Sequence, residues 1–263
     1  MQKNNLSKKS IGIFDSGIGG LSVYHEIIKL LPFENTLYLA DNAKMPYGNK
    51  SETLIKNLSF NSSNFLIKKN VKAIVIACNS ISSLAKDFLK SKFSIPIIDM
   101  IDPIVNYINK KSLKKILILS TFATANTKVF EKKLINKNIT TLPSSFLACL
   151  IEDKSKFINE YLDEFLKSVK DKKFDAILLA CTHYCLIKDL IQKKFSNDIK
   201  IIDPSFLIAK ELKTILENNN LLNSQKNIGN KYFFVSENKR MFKDSANSFL
   251  KIQIENLKKK SCF

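Results

Sequence analysis

Two of the five cysteines in this 263-residue chain stand at the ends of similar apolar segments. Lys72–Asn79 reads KAIVIACN and Asp175–Thr182 reads DAILLACT, so Cys78 and Cys181 occupy equivalent places. The other cysteines are Cys149, Cys185 and Cys262. The count is odd, the spacing is irregular, and the polar, lysine-bearing start is unlike an export signal. We therefore expect free thiols in a reducing compartment.

Thiols in these two places could act as a pair of bases. A cysteine between a strand and a helix has its thiolate favoured by the helix dipole and by free backbone N–H groups, and the lowered pKa makes it a usable base. Two such bases on opposite faces of a Cα atom could remove a proton from one side and return one to the other, which inverts a stereocentre without a cofactor. A single free cysteine is more often core packing, but packing does not require a second cysteine at the matching strand end. We therefore predict catalysis for Cys78 and Cys181 and interpret the other three cysteines as non-catalytic.

The segment Cys181–Cys185, which reads CTHYC, also contains residue types that bind metals. Structural zinc sites usually combine two close ligand pairs, whereas Cys78 has no near partner and the chain contains only two histidines, His25 and His183. We therefore predict neither a metal nor a cofactor. His183 is either a hydrogen-bonded structural histidine or a group that tunes Cys181 and relays its proton, and its closeness to the thiol favours the second interpretation.

Short β-branched segments alternate with amphipathic stretches, which is typical of parallel sheets covered by helices on both faces. The predicted strands are Ile11–Asp15, Thr36–Ala40, Ala73–Ala77, Ile95–Asp99, Ile116–Leu119, Ala176–Ala180 and Ile199–Asp203. The predicted helices are Leu21–Leu31, Glu52–Lys68, Ile81–Lys92, Asn126–Asn136, Phe157–Val169, Leu186–Phe195 and Phe206–Glu217.

Three matched segments indicate an internal duplication. The matched pairs are Ser16 with Thr121, Cys78 with Cys181 and Asp99 with Asp203, at separations of 105, 103 and 104 residues. Buried parallel strands resemble one another, but that does not explain the polar residues at matching strand ends. The duplication predicts two similar pseudo-symmetric α/β domains, with a ligand in the cleft beyond the carboxyl ends of their strands. We expect residues 1–98 and a returning tail, 207–263, to form one domain and residues 99–206 the other.

A glycine-rich loop follows the first predicted strand and reads FDSGIGG over Phe14–Gly20. Its glycines permit close backbone approach, and backbone N–H groups at the start of a helix could bind an anion. The dinucleotide fingerprint G-x-G-x-x-G is absent, so a substrate carboxylate is the more economical ligand. A tight turn would explain the glycines but not Asp15, which could orient or tune a thiol. A second loop, Asp41–Gly48, turns at Pro46 and could offer a backbone N–H and a rigid wall.

The charge of the chain is strongly positive, at +18. Of its 42 basic residues only Arg240 is arginine, the usual reader of guanine and a favoured phosphate ligand. The lysines are spread along the chain, so we predict a solvated lysine surface and no nucleic-acid partner. No apolar run approaches the roughly 20 residues that a membrane helix needs, and we expect a soluble cytoplasmic protein.

Four motifs can be compared together. They read DSGIGG from Asp15, PYG from Pro46, ACNS from Ala77 and ACTHY from Ala180. In order and spacing they resemble the bacterial glutamate racemases, which lie within a wider aspartate/glutamate racemase family. The resemblance runs from about Ile11 to Phe206. It implies cofactor-independent interconversion of L- and D-glutamate, with D-glutamate feeding peptidoglycan synthesis.

The resemblance also implies a role for each candidate site residue. Cys78 would act on the D-enantiomer, with assistance from Asp15. Cys181 would act on the L-enantiomer, with assistance from His183 and Glu152. The residues implied in substrate binding are Asp15, Ser16, Pro46, Tyr47, Gly48, Asn79, Ser80, Thr121, Thr124, Thr182 and His183.

Three residues depart from the family pattern. Ser80 stands where threonine is common, and Cys149 and Cys185 stand in proline-like places. Three other functions stay open: a hydrolase or transferase with one cysteine nucleophile, a binding protein for acidic amino acids, and a relative that acts on aspartate or another small acid. The DSGIGG start favours glutamate. We expect a homodimer, although the sequence does not identify its interface.

Overall fold

The computed structural model describes residues 6–251, 253–255 and 257–260, which form two parallel sheets with helices packed around them. The strands are β1 (Ile11–Asp15), β2 (Thr36–Ala40), β3 (Ala73–Ile76), β4 (Ile97–Ile98), β5 (Lys115–Ser120), β6 (Asn138–Pro143), β7 (Ala176–Ala180), β8 (Lys200–Ile202), β9 (Lys231–Val235) and β10 (Leu257–Lys259). The helices are α1 (Leu21–Leu30), α2 (Glu52–Lys68), α3 (Asn79–Lys92), α4 (Asp102–Asn109), α5 (Phe122–Thr127), α6 (Val129–Lys133), α7 (Phe146–Glu152), α8 (Ile158–Leu166), α9 (Thr182–Cys185), α10 (Lys188–Gln192), α11 (Ser205–Asn218) and α12 (Lys239–Leu250). None of the described helices is long and apolar enough to cross a membrane.

The first sheet has the strand order β10-β9-β2-β1-β3-β4, and its pairings are parallel. Every residue of β1, β2 and β3 is buried. Along β1, Ile13 packs in the hydrophobic cluster that contains α1 and α11, while Phe14 packs in the cluster that contains α2 and α3. Helices therefore cover both faces of this sheet, which explains why its strands read as continuous apolar runs.

The second sheet has the strand order β6-β5-β7-β8. This order repeats β2-β1-β3-β4 of the first sheet, so each half of the chain builds the same parallel unit. Cys78 follows β3 and Cys181 follows β7, which are the equivalent strands of the two units. The predicted fold class, mainly parallel sheets flanked by helices, is confirmed.

The C-terminal segment returns to the first sheet. Strand β9 pairs with β2, and β10 pairs with β9. One hydrophobic cluster runs continuously from Ile13 of the first sheet to Ile118 of the second. The division into residues 1–98 with 207–263 and residues 99–206 stays a prediction, because this shared core crosses the boundary.

Two of the predicted helices differ from the observed ones. The helix expected over Asn126–Asn136 is replaced by α5 and α6, and Lys128 between them has a left-handed φ of 53°. The Oγ1 atom of Thr127 donates to the carbonyl of Thr124 and accepts from the N–H of Val129, and these local bonds compete with a continuous helix. The helix expected over 186–195 is limited to α10, Lys188–Gln192, and the separate short helix α9 precedes the predicted range.

Candidate active site

Cys78 and Cys181 lie at the carboxyl ends of the two sheets and line one small cavity. Each is the residue immediately before a helix, α3 for Cys78 and α9 for Cys181, and each is only 5% exposed. The cavity has a volume of about 20 Å³, which is room for about one water molecule. The two thiols that were paired by sequence therefore meet at one place.

The surroundings of Cys78 correct one expectation from the sequence. Burial and the nearby Asp15 carboxylate raise the pKa of Cys78 well above its ordinary value, and these effects outweigh the N–H of Ile81 and the Ser16 hydroxyl, which lower it. The Ser16 Oγ atom lies 3.8 Å from the Cys78 sulfur. The prediction that the start of a helix lowers this pKa was wrong, because desolvation of the thiolate is the larger effect.

The Asp15 carboxylate is completely buried beside Cys78. Its Oδ2 atom accepts the N–H of Gly20 at 2.6 Å and the hydroxyl of Thr182 at 3.5 Å, and its Oδ1 atom lies 3.5 Å from the Ser16 hydroxyl. Burial raises the pKa of Asp15, although the charge of His183 and the N–H bonds of Gly20 and Ser16 oppose that rise. Asp15 therefore connects both halves of the site and can hold a proton.

A histidine and a carboxylate stand behind Cys181. The Nε2 atom of His183 lies 2.6 Å from Oε2 of Glu152, and the N–H of Ile18 donates to the same oxygen at 3.1 Å. Burial alone would lower the pKa of His183, but its hydrogen bonds with Cys181 and Glu152 and their charges raise it well above the ordinary value. The Glu152 carboxylate and Cys181 therefore favour the protonated form of the His183 imidazole.

The glycine-rich loop is used differently from the sequence expectation. Its N–H groups at Ile18 and Gly20 donate to carboxylates of the protein, Glu152 and Asp15, so these groups are not left for a substrate carboxylate. The glycines are needed for close approach. A Cβ atom on Gly17 would lie 2.7 Å from Glu152 Oε2, and one on Gly19 would lie 2.6 Å from His183 Nδ1.

Polar side chains from both sheets complete the cavity wall. The predicted residues that line it are Ser16, Pro46, Tyr47, Gly48, Cys78, Asn79, Ser80, Thr121, Cys181, Thr182 and His183. Ser80 Oγ lies 2.8 Å from Thr121 Oγ1, and Thr124 stands behind Thr121 with its Oγ1 atom at 3.3 Å. The amide nitrogen and oxygen of Asn79 are buried without a hydrogen-bond partner among the described residues. A buried amide in this condition is available to a ligand.

The loop at Pro46–Gly48 covers the cavity. The Tyr47 hydroxyl donates to Oδ2 of Asp41 at 2.6 Å, which anchors the ring. A Cβ atom on Gly48 would lie 2.7 Å from the Cβ atom of Thr121. The Pro46–Gly48 loop therefore packs closely against Thr121, which follows β5 of the second sheet.

Among the described residues, Cys149 and Cys185 do not line the cavity. Cys149 is half-buried on α7, and the buried Cys185 thiol points to the Cys181 carbonyl at 3.8 Å. Cys262 lies outside the described residues. Within residues 6–251, 253–255 and 257–260, no group of three or more His, Cys, Asp or Glu side chains could hold a metal ion.

A sequence profile of the Asp/Glu/hydantoin racemase family matches residues 11–212. The chain belongs to this family. A glutamate racemase of Clostridium botulinum (strain Alaska E43 / Type E3) is 41% identical over 234 residues, which cover 86% of this chain and 89% of that protein. A glutamate racemase of Fusobacterium nucleatum is 35% identical over 258 residues, or 93% of this chain and 95% of that protein. As a member of the Asp/Glu/hydantoin racemase family, the protein is an isomerase.

Solved structures agree with this family membership. The glutamate racemase of Francisella tularensis, crystallised with D-glutamate, superposes with a TM-score of 0.88 at 34% identity, covering 97% of this chain and 98% of that chain. Glutamate racemase isoform RacE1 of Bacillus anthracis has a TM-score of 0.89 at 29% identity, covering 96% of this chain and 97% of that chain. The two-sheet architecture is therefore that of racemases in the Asp/Glu/hydantoin racemase family.

Sequence reasoning missed two residues of the cavity wall. Met45, beside Pro46, and Ala148, on α7, both line the cavity. Met45 adjoins a recognised motif and could have been included on that ground. Ala148 carried no signal, because α7 itself was not predicted.

Proposed function

We propose that the protein is a glutamate racemase that inverts the Cα atom of glutamate with Cys78 and Cys181 as its two bases. The observation that carries the proposal is the convergence of two thiols, from equivalent strand ends of two sheets, on one cavity. Asp15 lies beside Cys78, and His183, paired with Glu152, lies beside Cys181. The identity of the substrate is supported by the relatives, which are named glutamate racemases, and by the D-glutamate bound to the Francisella tularensis protein.

In the direction from L- to D-glutamate, the Cys181 thiolate removes the α-proton from one face. The protonated imidazole of His183 stabilises that thiolate before the transfer. The Cys78 thiol then gives its proton to the opposite face, and its raised pKa keeps it protonated for that task. One proton is taken from carbon, one is returned, and Cys78 is left as the thiolate.

The direction from D- to L-glutamate uses the same groups in the opposite roles. Cys78 must first lose its proton, and Asp15 is the neighbouring group that can accept it, because burial raises the pKa of Asp15. The Cys181 thiol then supplies the proton to the other face. Each thiol therefore has its own proton acceptor, which suits a reaction whose two directions are chemically equivalent.

The polar wall binds the substrate and stabilises the carbanion. We assign the α-carboxylate and ammonium groups to Ser16, Asn79, Ser80, Thr121 and Thr182, with Thr124 positioning Thr121. Donors that are already in place act strongly on charge that develops during the reaction. The cavity holds only about one water molecule, so it must widen before glutamate can enter.

The cellular setting is part of the same proposal. D-Glutamate supplied by this enzyme would feed peptidoglycan synthesis and so support the cell wall and cell shape, and the enzyme would work in the cytoplasm. We also propose that the protein is a homodimer. Static light scattering on the purified protein would distinguish a dimer from a monomer by its molar mass.

The test is racemisation of L-glutamate in deuterated water, followed by optical rotation and by deuterium at Cα. Cys78→Ala and Cys181→Ala should each abolish inversion, while the matched control Cys149→Ala should retain it. If either cysteine variant at the cavity still racemises at the wild-type rate, the two-base mechanism is wrong.

The same experiment separates the other functions. A binding protein for acidic amino acids would bind glutamate without exchanging its α-proton. A hydrolase or transferase with one nucleophilic cysteine would form a covalent intermediate and would not need the second cysteine. Rates with aspartate and glutamate compared side by side would identify an aspartate-specific relative.

A further inference from the structure

The carboxylate of Glu152 lies between two cavities. On one side, its Oε2 atom pairs with His183, which lines the cavity that contains both thiols. On the other side, Glu152 itself lines a second cavity of about 300 Å³. Because this second cavity also borders helix α12, we call it the α7–α12 cavity.

Two buried oxygen atoms that border the α7–α12 cavity have no protein partner. These are Oε1 of Glu152 and Oγ of Ser245, and neither has a hydrogen-bond partner among the described residues. Buried polar atoms are almost always hydrogen-bonded, either to protein or to ordered water. A polar cavity of this size has ample room for water, so water molecules in it would satisfy both atoms.

The α7–α12 cavity extends from the interior to the surface. Ser245 is 0% exposed and Glu152 is 1% exposed, whereas the side chains of Arg240 and Asp244, on the same cavity wall, are 94% and 62% exposed. Water that enters beside Arg240 and Asp244 can therefore reach the neighbourhood of Glu152 without passing the substrate cavity.

The Asp15 carboxylate, beside Cys78, differs from Glu152 in its hydrogen bonds. Both oxygen atoms of Asp15 have partners within the protein: Oδ2 accepts from Gly20 and Thr182, and Oδ1 lies within reach of the Ser16 hydroxyl. Asp15 is 0% exposed. The two halves of the site are thus equivalent in their thiols but unequal in their contact with solvent.

We propose that the α7–α12 cavity is a proton passage through which Cys181, but not Cys78, exchanges its proton with solvent while substrate occupies the active site. The proposal rests on the proposed function, because it concerns a proton that Cys181 has taken from glutamate. The imidazolium of His183 first releases its Nε2 proton to Glu152, the Cys181 proton then moves to the neutral imidazole, and Glu152 releases the proton it received to water in the cavity. The reverse sequence delivers a solvent proton to Cys181, so that one proton leaves and one enters.

The closing experiment follows deuterium in the substrate that has not yet been inverted. With L-glutamate in deuterated water at low conversion, Cys181 exchanges the proton it has removed, so deuterium appears at Cα of the recovered L-glutamate. With D-glutamate as substrate, the recovered D-glutamate stays unlabelled, because Cys78 lacks a passage. In both experiments the inverted product is deuterated. No label in recovered L-glutamate, or equal label in the two recovered substrates, would overturn the proposal.

Variants of α12 connect this exchange to the cavity. Ser245→Leu fills the passage and should abolish the label in recovered L-glutamate, while label in the inverted product is retained. If the leucine prevents folding, Ser245→Ala is the alternative variant. It removes only the hydroxyl and should reduce the label in recovered L-glutamate. The matched control is Ser248→Leu, at an exposed position of the same helix, which should exchange like the wild type.

These outcomes separate the two proposals. If the enzyme does not invert glutamate at all, the proposed function fails, and no deuterated product forms with any variant. If inversion continues in Ser245→Leu and the label in recovered L-glutamate is unchanged, racemisation stands and the proton passage is wrong.

Discussion

The Nε2 atom of His183 lies 2.6 Å from Oε2 of Glu152, although the two residues are 31 positions apart and belong to the short helices α9 and α7. The N–H of Ile18, from the other half of the chain, donates to the same oxygen at 3.1 Å. This pairing raises the pKa of a buried imidazole beside Cys181, where burial alone would lower it. The first prediction follows from this pairing.

Glu152→Gln should lower racemisation by about 10²-fold, at the lower end of what a general acid or base contributes. Glutamine carries no charge, so the imidazole of His183 loses the carboxylate that keeps it protonated beside the Cys181 thiolate. The equilibrium constant of a racemisation is one, so kcat/KM should fall equally in both directions, as circular dichroism of each enantiomer would measure. The control is Glu160→Gln at an exposed position of α8, and wild-type rates in Glu152→Gln would contradict the prediction.

Asp15→Asn should raise the Tm at neutral pH while lowering activity. Burial raises the pKa of Asp15 in the folded protein, so this residue favours folding most at low pH. That contribution is lost as the pH rises from the ordinary value of 3.8 through the raised folded pKa. Asparagine carries no charge and keeps an oxygen for the N–H of Gly20, now 2.6 Å from Oδ2.

Thermal melts of the two proteins over a range of pH would check this expectation. The Tm advantage of Asp15→Asn should be small near pH 3.8 and should grow toward neutral pH. An advantage that does not change with pH would show that ionisation of Asp15 is not its cause.

Gly19→Ala should reduce both activity and stability. The added Cβ atom would lie 2.6 Å from His183 Nδ1 and 2.6 Å from Thr182 Oγ1, so the helix that follows Cys181 must shift. Overpacking of this kind costs about 1–3 kcal/mol of unfolding free energy. The measurements are kcat/KM and urea unfolding.

Gly12→Ala is the matched control for that substitution. The heavy atoms nearest to its Cβ atom would belong to the side chains of Leu66 and Val71, at 3.1 and 3.2 Å, and neither residue lines the cavity. We expect a loss of stability without a loss of kcat/KM. If Gly12→Ala lowered kcat/KM as much as Gly19→Ala, the effect would not report on the position of His183.

Lys72→Met should destabilise the fold by about 3–5 kcal/mol, because it leaves the buried Glu34 carboxylate without its cation. The Lys72 ammonium, whose pKa is lowered by burial against the opposing effect of Glu34, also donates to the carbonyl oxygens of Ser7 at 2.6 Å and Leu221 at 2.8 Å. Lys72 precedes β3, at the end of the strand opposite Cys78, so kcat/KM should not change. Urea unfolding would measure the loss, and the double variant Lys72→Met with Glu34→Leu should recover part of it.

The parts of the fold that were predictable are those whose local pattern agrees with their tertiary environment. Strands β1, β3 and β7 are covered on both faces, so in the sequence they are continuous runs of mainly apolar residues. Strand β6, which reads NITTLP, lies at the edge of the second sheet with no fully buried residue, and its mixed composition gave no signal. Its counterpart β2 is buried, because β9 pairs along its other side.

The candidate site was predictable for a related reason. Cys78 and Cys181 repeat at matched strand ends, and the carboxyl ends of parallel strands are where such folds place ligands. The protonation of the thiols was not predictable. The start of a helix favours a thiolate, but the pKa of Cys78 is raised by burial and by Asp15, and neither effect can be read from neighbouring residues.

The sequence by itself determined the duplicated parallel architecture and the pair of thiols, because both depend on local periodicity and on residues at strand ends. Only the tertiary structure decided what each thiol meets. It brings Glu152 against His183, directs the N–H groups of the glycine loop to protein carboxylates, and leaves one oxygen of Glu152 beside a cavity that opens to solvent. Desolvation, close approach and access to water depend on residues that are distant in the chain, so they arise only when the two sheets are packed together.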